Sequence, residues 1–246
     1  MSTLHLNEFS DSANQAIAAT RQIVADLHAE LPRNDLVAWT AGNVSQRVDL
    51  GEDAPEPVPA VFVIKPSGVS YDELTASNMV VCTLDGTKID DDTSTGLSPS
   101  SDTAAHAYVY RHMPAVGGVV HTHSAYATSW AARGEVIPCV LTMMADEFGG
   151  DVPVGPFALI GDDSIGRGIV ETLQGSRSPA VLMDRHGPFT IGAGAQEAVK
   201  AAVLCEEVAR TVHLARAYGE PQRIAQHQID ALYARYQNVY GQKDHA

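Results

Sequence analysis

The sequence predicts a three-layer α/β/α domain built on a mixed sheet. Strand-like apolar runs alternate with amphipathic helical segments, but without the strict strand–helix–strand rhythm of an all-parallel fold. A chain of 246 residues, 45% of them hydrophobic, is long enough to bury a substantial core. There is no internal repeat and no low-complexity segment. One domain over residues 1–246 is therefore the simplest organisation, with two smaller domains as the alternative.

The elements are predicted from the spacing and type of their apolar residues. Helices are predicted where apolar residues recur at helical spacing, at 10–30, 103–112, 124–132, 196–218 and 223–236. Strands are predicted where β-branched and other apolar residues run together, at 36–40, 61–64, 79–83, 116–121 and 180–183. Loops are predicted where Pro, Gly and acidic residues concentrate, at 49–59, 90–99 and 151–168.

The first and the longest helix show how these boundaries are set. In the first, Ile17 and Val24 lie two turns apart, and Pro32 follows beyond its end. In the long C-terminal helix, Val208 and Val212 share one face, and a proline three residues after 218 ends the segment.

Charge and cysteine content exclude several classes of protein. A net charge of −14 argues against nucleic acid as a partner, because neutralising phosphates needs clustered Lys and Arg. No apolar run approaches a membrane span, and the N-terminus lacks the basic and apolar regions of a signal peptide. Cys82, Cys139 and Cys205 form neither a disulfide framework nor a CxxC zinc motif. We therefore expect a cytoplasmic protein. An anionic small molecule is compatible with this charge if a bound divalent metal supplies a local cation.

The triplet His121-Thr122-His123 is the most informative motif. It ends a predicted strand, and residues two apart on a strand project to the same face, so both imidazoles can reach one ion. A third imidazole from His186 would complete a set that leaves coordination positions open, as in catalytic metal sites. The alternative interpretation is a pair of partly buried, hydrogen-bonded histidines without a metal.

Three short segments have the composition of an anion-binding loop. They are Gly42-Asn43-Val44-Ser45, Lys65-Pro66-Ser67-Gly68 and Pro99-Ser100-Ser101-Asp102. Glycine lets backbone N–H groups approach a ligand, hydroxyl groups donate further hydrogen bonds, and Lys65 could add a positive charge. The third segment also opens a predicted helix, where free N–H groups favour an anion. Ordinary turn and helix-capping chemistry is the alternative for each.

Taken in order, these segments resemble the motifs of the class II aldolase superfamily. The matching motifs are Gly42-Asn43-Val44-Ser45, Lys65-Pro66-Ser67-Gly68-Val69, Pro99-Ser100-Ser101-Asp102-Thr103, Gly118-Val119-Val120-His121-Thr122-His123-Ser124 and His186-Gly187-Pro188-Phe189. The resemblance extends from about residue 12 to 242. Within the superfamily, the chain is most similar to the L-ribulose-5-phosphate 4-epimerases. This resemblance implies a mixed, largely antiparallel central sheet.

The resemblance also implies a set of roles. The zinc-type metal ligands would be His121, His123 and His186, with Asp102 as the acidic residue beside the metal. The substrate phosphate would be bound by Asn43, Lys65, Ser67, Gly68, Ser100 and Ser101. Thr142 and Asp146, with Tyr240 of the C-terminal Tyr240-Gly241-Gln242, would be the catalytic residues. The cofactor implied is Zn²⁺ or another divalent metal.

The implied reaction is epimerisation of a sugar phosphate, L-ribulose 5-phosphate to D-xylulose 5-phosphate, by cleavage and re-formation of the C3–C4 bond. The implied assembly is a homotetramer, in which Tyr240 reaches a neighbouring subunit's site, so that Asp146 and Tyr240 come from different subunits. A class II aldolase or lyase on a related sugar phosphate is the main alternative. A non-catalytic module of the same fold, like the head domain of adducin, is a second alternative, but such modules are expected to lack the metal histidines.

Four features depart from the epimerase pattern. Met144 and Glu147 stand near Asp146, where epimerases carry His and Tyr, and His227 is not clearly in register with their final histidine. The segment between Asp146 and His186 looks shorter than theirs, and the loop at 49–59 looks longer. These differences bear on the identity of the sugar more than on the type of reaction.

Overall fold

A computed structural model describes residues 4–51 and 58–239 and has the predicted α/β architecture. The strands are β1 (Asn43–Asp49), β2 (Ala60–Ile64), β3 (Val80–Thr83), β4 (Gly118–His121), β5 (Val154–Gly155), β6 (Ala180–Met183) and β7 (Gly187–Gly192). The α-helices are α1 (Asp11–His28), α2 (Glu30–Arg33), α3 (Thr103–His112), α4 (Ala125–Arg133), α5 (Thr142–Phe148), α6 (Ser164–Leu173), α7 (Ala195–Arg216) and α8 (Gln226–Val239). Among these described residues, no helix is both long enough and apolar enough to cross a bilayer.

Over the described residues, the seven strands form one sheet in the order β3-β2-β1-β4-β7-β6-β5. Neighbouring strands pair antiparallel except β5 and β6, which are parallel. The sheet is therefore mixed and largely antiparallel, which confirms the expected fold class. The central position of β1, β4 and β7 matters for function, because Asn43, His121 and Phe189 lie side by side at the ends of these strands.

Alternate side chains of the strands face opposite helical layers. Phe62 of β2 and Val119 of β4 belong to a core shared with α3 and α6. Their neighbours Val61 and Val120 point the other way, into cores shared with α1 and α7 respectively. This period of two, with apolar residues on both faces, is what a sheet buried between two helical layers requires.

A close approach of backbones fixes α7 against β4. A Cβ atom added to Gly118 would lie 2.2 Å from the carbonyl oxygen of Gly194 and 2.4 Å from the backbone nitrogen of Ala195. Only glycine leaves room for this contact. The start of α7 is thereby held against the strand that ends in His121.

Several predicted boundaries are wrong. Residues 36–40 form no strand; they lead from the end of α2 into a turn in which Trp39 has a left-handed φ of 56°. The strand is β1 instead, which begins inside a segment predicted as an anion-binding turn. The predicted loop at 151–168 contains β5 and the first residues of α6. Both α5 and β7 were absent from the prediction.

A buried ion pair anchors the loop that leads to Ser100. The Arg21 Nη2 atom of α1 lies 2.7 Å from Asp91 Oδ2, and the two side chains are 10% and 6% exposed. The backbone N–H groups of Thr93 and Ser94 donate to Asp91 Oδ1, each at 2.7 Å. Burial acts to raise the pKa of Asp91, but the hydrogen bonds from Ser94 and Thr93 and the charge of Arg21 outweigh it and lower the pKa.

Replacing Asp91 by asparagine is expected to lower the free energy of unfolding by about 3 kcal/mol at pH 7, because Arg21 is left buried without its counter-charge. The folded-state pKa lies below the unfolded value, so the stabilisation is present above about pH 4 and is lost as the pH falls further. Denaturant titrations at several pH values measure this. The exposed neighbour Asp92 supplies the control variant D92N. Equal stability of D91N and D92N at pH 7 would contradict the assignment.

Candidate functional site

Three imidazoles converge at one end of the sheet. His121 is the last residue of β4, His123 follows it, and His186 lies in the turn between β6 and β7. One ring nitrogen from each of the three lies within 4.8 Å of those of the other two. The Nε2 atoms of His121 and His123 are 3.0 Å apart. The structure therefore brings together the three residues predicted as metal ligands.

The backbone just beyond β4 holds His123 in place. The strand ends at His121, and residues 122–124 belong to no helix or strand. The backbone N–H of Thr122 still donates to the carbonyl of Pro188 at 3.2 Å, and that of His123 donates to the carbonyl of Leu36 at 3.1 Å. The two imidazoles converge, as their spacing predicts.

Hydrogen bonding and burial prepare the histidines to bind a metal. His121 Nδ1 lies 3.0 Å from the carbonyl oxygen of Pro188, an acceptor, so Nδ1 carries the proton and Nε2 keeps its lone pair. Burial lowers the pKa of His121 well below its ordinary value, and the neighbouring imidazoles of His186 and His123 lower it further. Burial also lowers the pKa values of His123 and His186, although the negative charge of Asp102 acts to raise them. Neutral imidazoles are the form that coordinates a metal.

Asp102 and Asn43 complete the polar wall beside the histidines. Asn43 Nδ2 donates to Asp102 Oδ2 at 2.7 Å and to Ser100 Oγ at 3.0 Å. Asp102 Oδ1 and Asn43 Oδ1 are buried and have no hydrogen-bond partner in the part of the chain that is described. Buried acceptors without partners are costly unless a bound group satisfies them. Three neutral imidazoles beside an unsatisfied carboxylate oxygen form a donor set that fits a divalent metal such as zinc.

The histidines and the three Gly/Ser segments line one cavity of about 280 Å³. All ten residues predicted to bind metal or phosphate are on its wall: Asn43, Lys65, Ser67, Gly68, Ser100, Ser101, Asp102, His121, His123 and His186. Gly42 and Pro66, which belong to the predicted anion-binding segments, are also on the wall. Sequence reasoning missed three further wall residues, which are Thr40, Ala41 and Ile160. Ile160 is a large apolar side chain in a predicted loop, a position where sequence pattern carries no information about contacts.

Backbone hydrogen bonds hold the loops of the cavity together. Ser67 N–H donates to the carbonyl of Ser98 at 2.8 Å, and Ser100 N–H donates to that of Lys65 at 3.0 Å. Gly42 adopts a φ of +82°, and a Cβ there would lie 2.6 Å from Val37 Cγ1, so glycine is required before Asn43. The loops therefore form a fixed wall.

Lys65 is a buried cation on the wall of this cavity. It is 2% exposed, and its Nζ donates to the carbonyl oxygens of Thr40 at 3.2 Å and Pro66 at 3.3 Å. Burial lowers its pKa. No carboxylate within residues 4–51 and 58–239 forms an ion pair with it. A buried ammonium group that lines the same cavity as Ser67, Ser100 and Ser101 is well suited to an anionic ligand.

The residues predicted as catalytic are not on this wall. Thr142 and Asp146 lie in α5, which packs against α8 in a different core cluster. Thr142 is exposed, whereas Asp146 is half-buried, and its Oδ1 atom has no hydrogen-bond partner among the described residues. Tyr240 lies outside the described residues. The roles of these three residues stay predictions.

Comparisons with known proteins agree with this geometry. The family model for the class II aldolase and adducin N-terminal domain matches residues 22–213. The L-ribulose-5-phosphate 4-epimerase UlaF of Salmonella paratyphi C is 40% identical over 209 residues, which cover 80% of this chain and 85% of that protein.

Solved structures show the same fold. An L-fuculose 1-phosphate aldolase superposes with a TM-score of 0.79 at 23% identity, over 93% of this chain and 98% of that one. YgbL of Klebsiella pneumoniae superposes with a TM-score of 0.73 at 27% identity, over 88% of this chain and 99% of that one. The chain belongs to the class II aldolase family.

Proposed function

We propose that this protein is a metal-dependent epimerase that converts L-ribulose 5-phosphate to D-xylulose 5-phosphate. The observation that carries the proposal is the single cavity in which three neutral histidines adjoin a cradle built around buried Lys65. The similarity to an L-ribulose-5-phosphate 4-epimerase over four fifths of the chain supports this choice of substrate.

Inversion at C4 is difficult by proton removal, because the C4–H bond is not adjacent to the C2 carbonyl. Breaking the C3–C4 bond avoids the difficulty. Removal of the C4 hydroxyl proton converts C4 into the aldehyde of glycolaldehyde phosphate, and the C3–C4 electron pair forms the enediolate of dihydroxyacetone. Rotation of the aldehyde and addition to its other face restore the bond with the opposite configuration. The returned proton completes a balanced isomerisation.

The cavity residues have separate tasks in this reaction. A divalent metal, for which we propose zinc, would be held by His121, His123 and His186 beside Asp102, and would supply Lewis acidity that stabilises negative charge next to the substrate carbonyl. Asn43 can accept from a substrate hydroxyl through its free Oδ1 atom, because its Nδ2 group already donates to Asp102 and Ser100.

The phosphate cradle explains how an epimerase would differ from an aldolase. We assign the substrate phosphate to Lys65, Ser67, Gly68, Ser100 and Ser101. Holding the phosphate anchors the aldehyde fragment while its carbonyl rotates, so the fragment re-adds before it escapes. Charge-assisted hydrogen bonds to the ammonium and backbone N–H groups would make this anchor strong.

We propose that a second copy of the chain supplies the acid/base groups within a homotetramer. Asp146 does not line its own chain's cavity. Thr142 is not on that wall either. We therefore assign Thr142 and Asp146, like Tyr240, to a neighbouring subunit, whereas the resemblance implies that Asp146 and Tyr240 come from different subunits.

The experiment that tests the function incubates metal-loaded protein with L-ribulose 5-phosphate, with and without a chelator. We expect D-xylulose 5-phosphate to form without accumulation of free glycolaldehyde phosphate, and chelation to stop the reaction. Accumulating aldehyde would favour the aldolase alternative. No turnover, or turnover unaffected by complete removal of the metal, would contradict the proposal.

A further inference from the structure

A ladder of polar side chains joins β1 to α3 behind the cavity. Asn43 and Ser45 are two residues apart on β1, so they project to the same side of the sheet. Asn43 bonds to Asp102 at 2.7 Å, and Ser45 Oγ lies 2.7 Å from His106 Nδ1. Asp102 occupies the position just before α3 and His106 lies four residues later, so these two residues share a helix face. His106 is fully buried and has no role in the reaction described so far.

The ladder continues from His106 into the core through a chain of hydroxyl groups. Ser45 Oγ also lies 2.7 Å from the hydroxyl of Tyr110. Burial raises the pKa of Tyr110, so this phenol keeps its proton. Burial lowers the pKa of His106 to about 3, so its imidazole is neutral and carries one proton. If Tyr110 donates to Ser45, the serine hydroxyl donates to His106 Nδ1, and the imidazole proton lies on Nε2.

Two buried atoms without hydrogen-bond partners favour donation from Tyr110 to Ser45 to His106 over donation in the reverse order. His106 Nε2 and Asp102 Oδ1 are both buried and have no hydrogen-bond partner among the described residues. A carboxylate oxygen can only accept, so a protonated Nε2 complements it, whereas in the other tautomer both atoms would be acceptors. An unsatisfied buried donor is costly, and a bridging water removes that cost where the groups are too far apart to bond directly.

We propose that His106 is a positioning residue for Asp102, whose free carboxylate oxygen accepts, through one buried water, from the Nε2–H of His106. Asn43 would then hold Oδ2 of Asp102, and His106 would occupy one lone pair of Oδ1, which leaves the second lone pair of Oδ1 for the metal. The Tyr110–Ser45–His106 chain would fix the carboxylate beside the histidine cluster. The inference rests on the proposed function only in assigning Asp102 to the metal centre.

The first test is the tautomer of His106 in the zinc-loaded protein. Long-range proton–nitrogen correlation spectra of protein labelled with nitrogen-15 histidine distinguish protonated from unprotonated ring nitrogens. The His106 signals are those missing from the H106Q spectrum. We expect Nε2 to be protonated and Nδ1 to be bare. A protonated Nδ1 would overturn the proposal.

The second test uses two amide variants that differ in which ring nitrogen they replace. The H106Q side chain places its NH₂ group near the position of Nε2, whereas the shorter H106N side chain places it near Nδ1. We expect H106Q to retain the Zn²⁺ affinity of the wild type within about threefold, and H106N to lose about 10- to 100-fold, the usual effect of removing a group that orients a metal ligand. Competition with a chromophoric chelator measures both affinities.

Equal Zn²⁺ affinity in both variants, whether unchanged or equally weakened, would overturn the proposal, because it would tie the effect to side-chain volume and not to the Nε2 donor. Thermal unfolding of both variants checks that they fold, and the spectrum of either folded variant identifies the His106 signals for the tautomer measurement. Neither measurement involves the sugar phosphate. The positioning role and the proposed reaction can therefore fail independently of each other.

Discussion

Replacing His186 by alanine is expected to reduce turnover of L-ribulose 5-phosphate by about a thousandfold, because one of three metal ligands is lost and Lewis-acid stabilisation is worth several kcal/mol. His186 is the best of the three histidines to test. It lies in a turn and is partly exposed, whereas His121 is 1% exposed and stacks on Phe189 with ring centroids 4.0 Å apart. Loss of His186 should therefore leave the fold intact.

The measurement pairs steady-state kinetics with metal analysis of the purified protein. We expect about one divalent metal per chain in the wild type and a large loss of it in H186A. His112 is exposed on α3 and does not line the cavity, so H112A is the matched control and should keep both metal and turnover. An H186A variant that retained its metal and wild-type kcat would exclude His186 as a ligand.

Removing the Tyr240 hydroxyl in Y240F is expected to reduce kcat by about 10²- to 10⁴-fold, the usual contribution of a positioned acid or base. D146N should have an effect of the same size. KM should change less than kcat, because the phosphate cradle is untouched. Tyr236, four residues earlier in the sequence and within α8, provides the control Y236F, which has the same chemical change and should retain turnover. Full activity of Y240F would remove the phenol from the mechanism.

Mixing subunits tests where these groups act. Neither Y240F nor H186A subunits alone should be active. In tetramers assembled at random from both, a site is complete when an intact histidine cluster adjoins a neighbour with Tyr240, so roughly a quarter of wild-type activity should return. D146N is expected to complement H186A in the same way. If Asp146 or Tyr240 served its own chain's cavity, the corresponding mixture would remain inactive.

The site could be predicted well from sequence because its residues are chemically distinctive. Histidines, a lysine between a strand and a glycine, and paired serines stand out against an apolar background, and all ten predicted metal and phosphate residues line the cavity. The backbone conformation that positions these residues was harder to predict from the sequence. His123 lies just beyond the end of β4, where its backbone hydrogen bond to Leu36 holds it, a contact that residue spacing does not encode.

The missed elements have physical explanations. In β1, the polar residues Asn43 and Ser45 face α3 and the cavity, so the strand lacks the apolar alternation that predicts a half-buried strand. In β7, glycine and proline at the start obscure a strand that pairs with β4 and β6. Asp146 could not be placed by sequence for another reason, since its contact with the cavity would depend on a second copy of the chain.

The most direct test of the central claim is a proton NMR time course of metal-loaded protein and L-ribulose 5-phosphate in D₂O. Cleavage and re-formation of the C3–C4 bond within one cavity predict that D-xylulose 5-phosphate appears with no deuterium at C3 or C4 and without free glycolaldehyde phosphate. Deuterium at C4 would mean that the proton on that carbon is removed, and accumulating aldehyde would mean that the cradle does not retain the fragment. Either result would contradict the account.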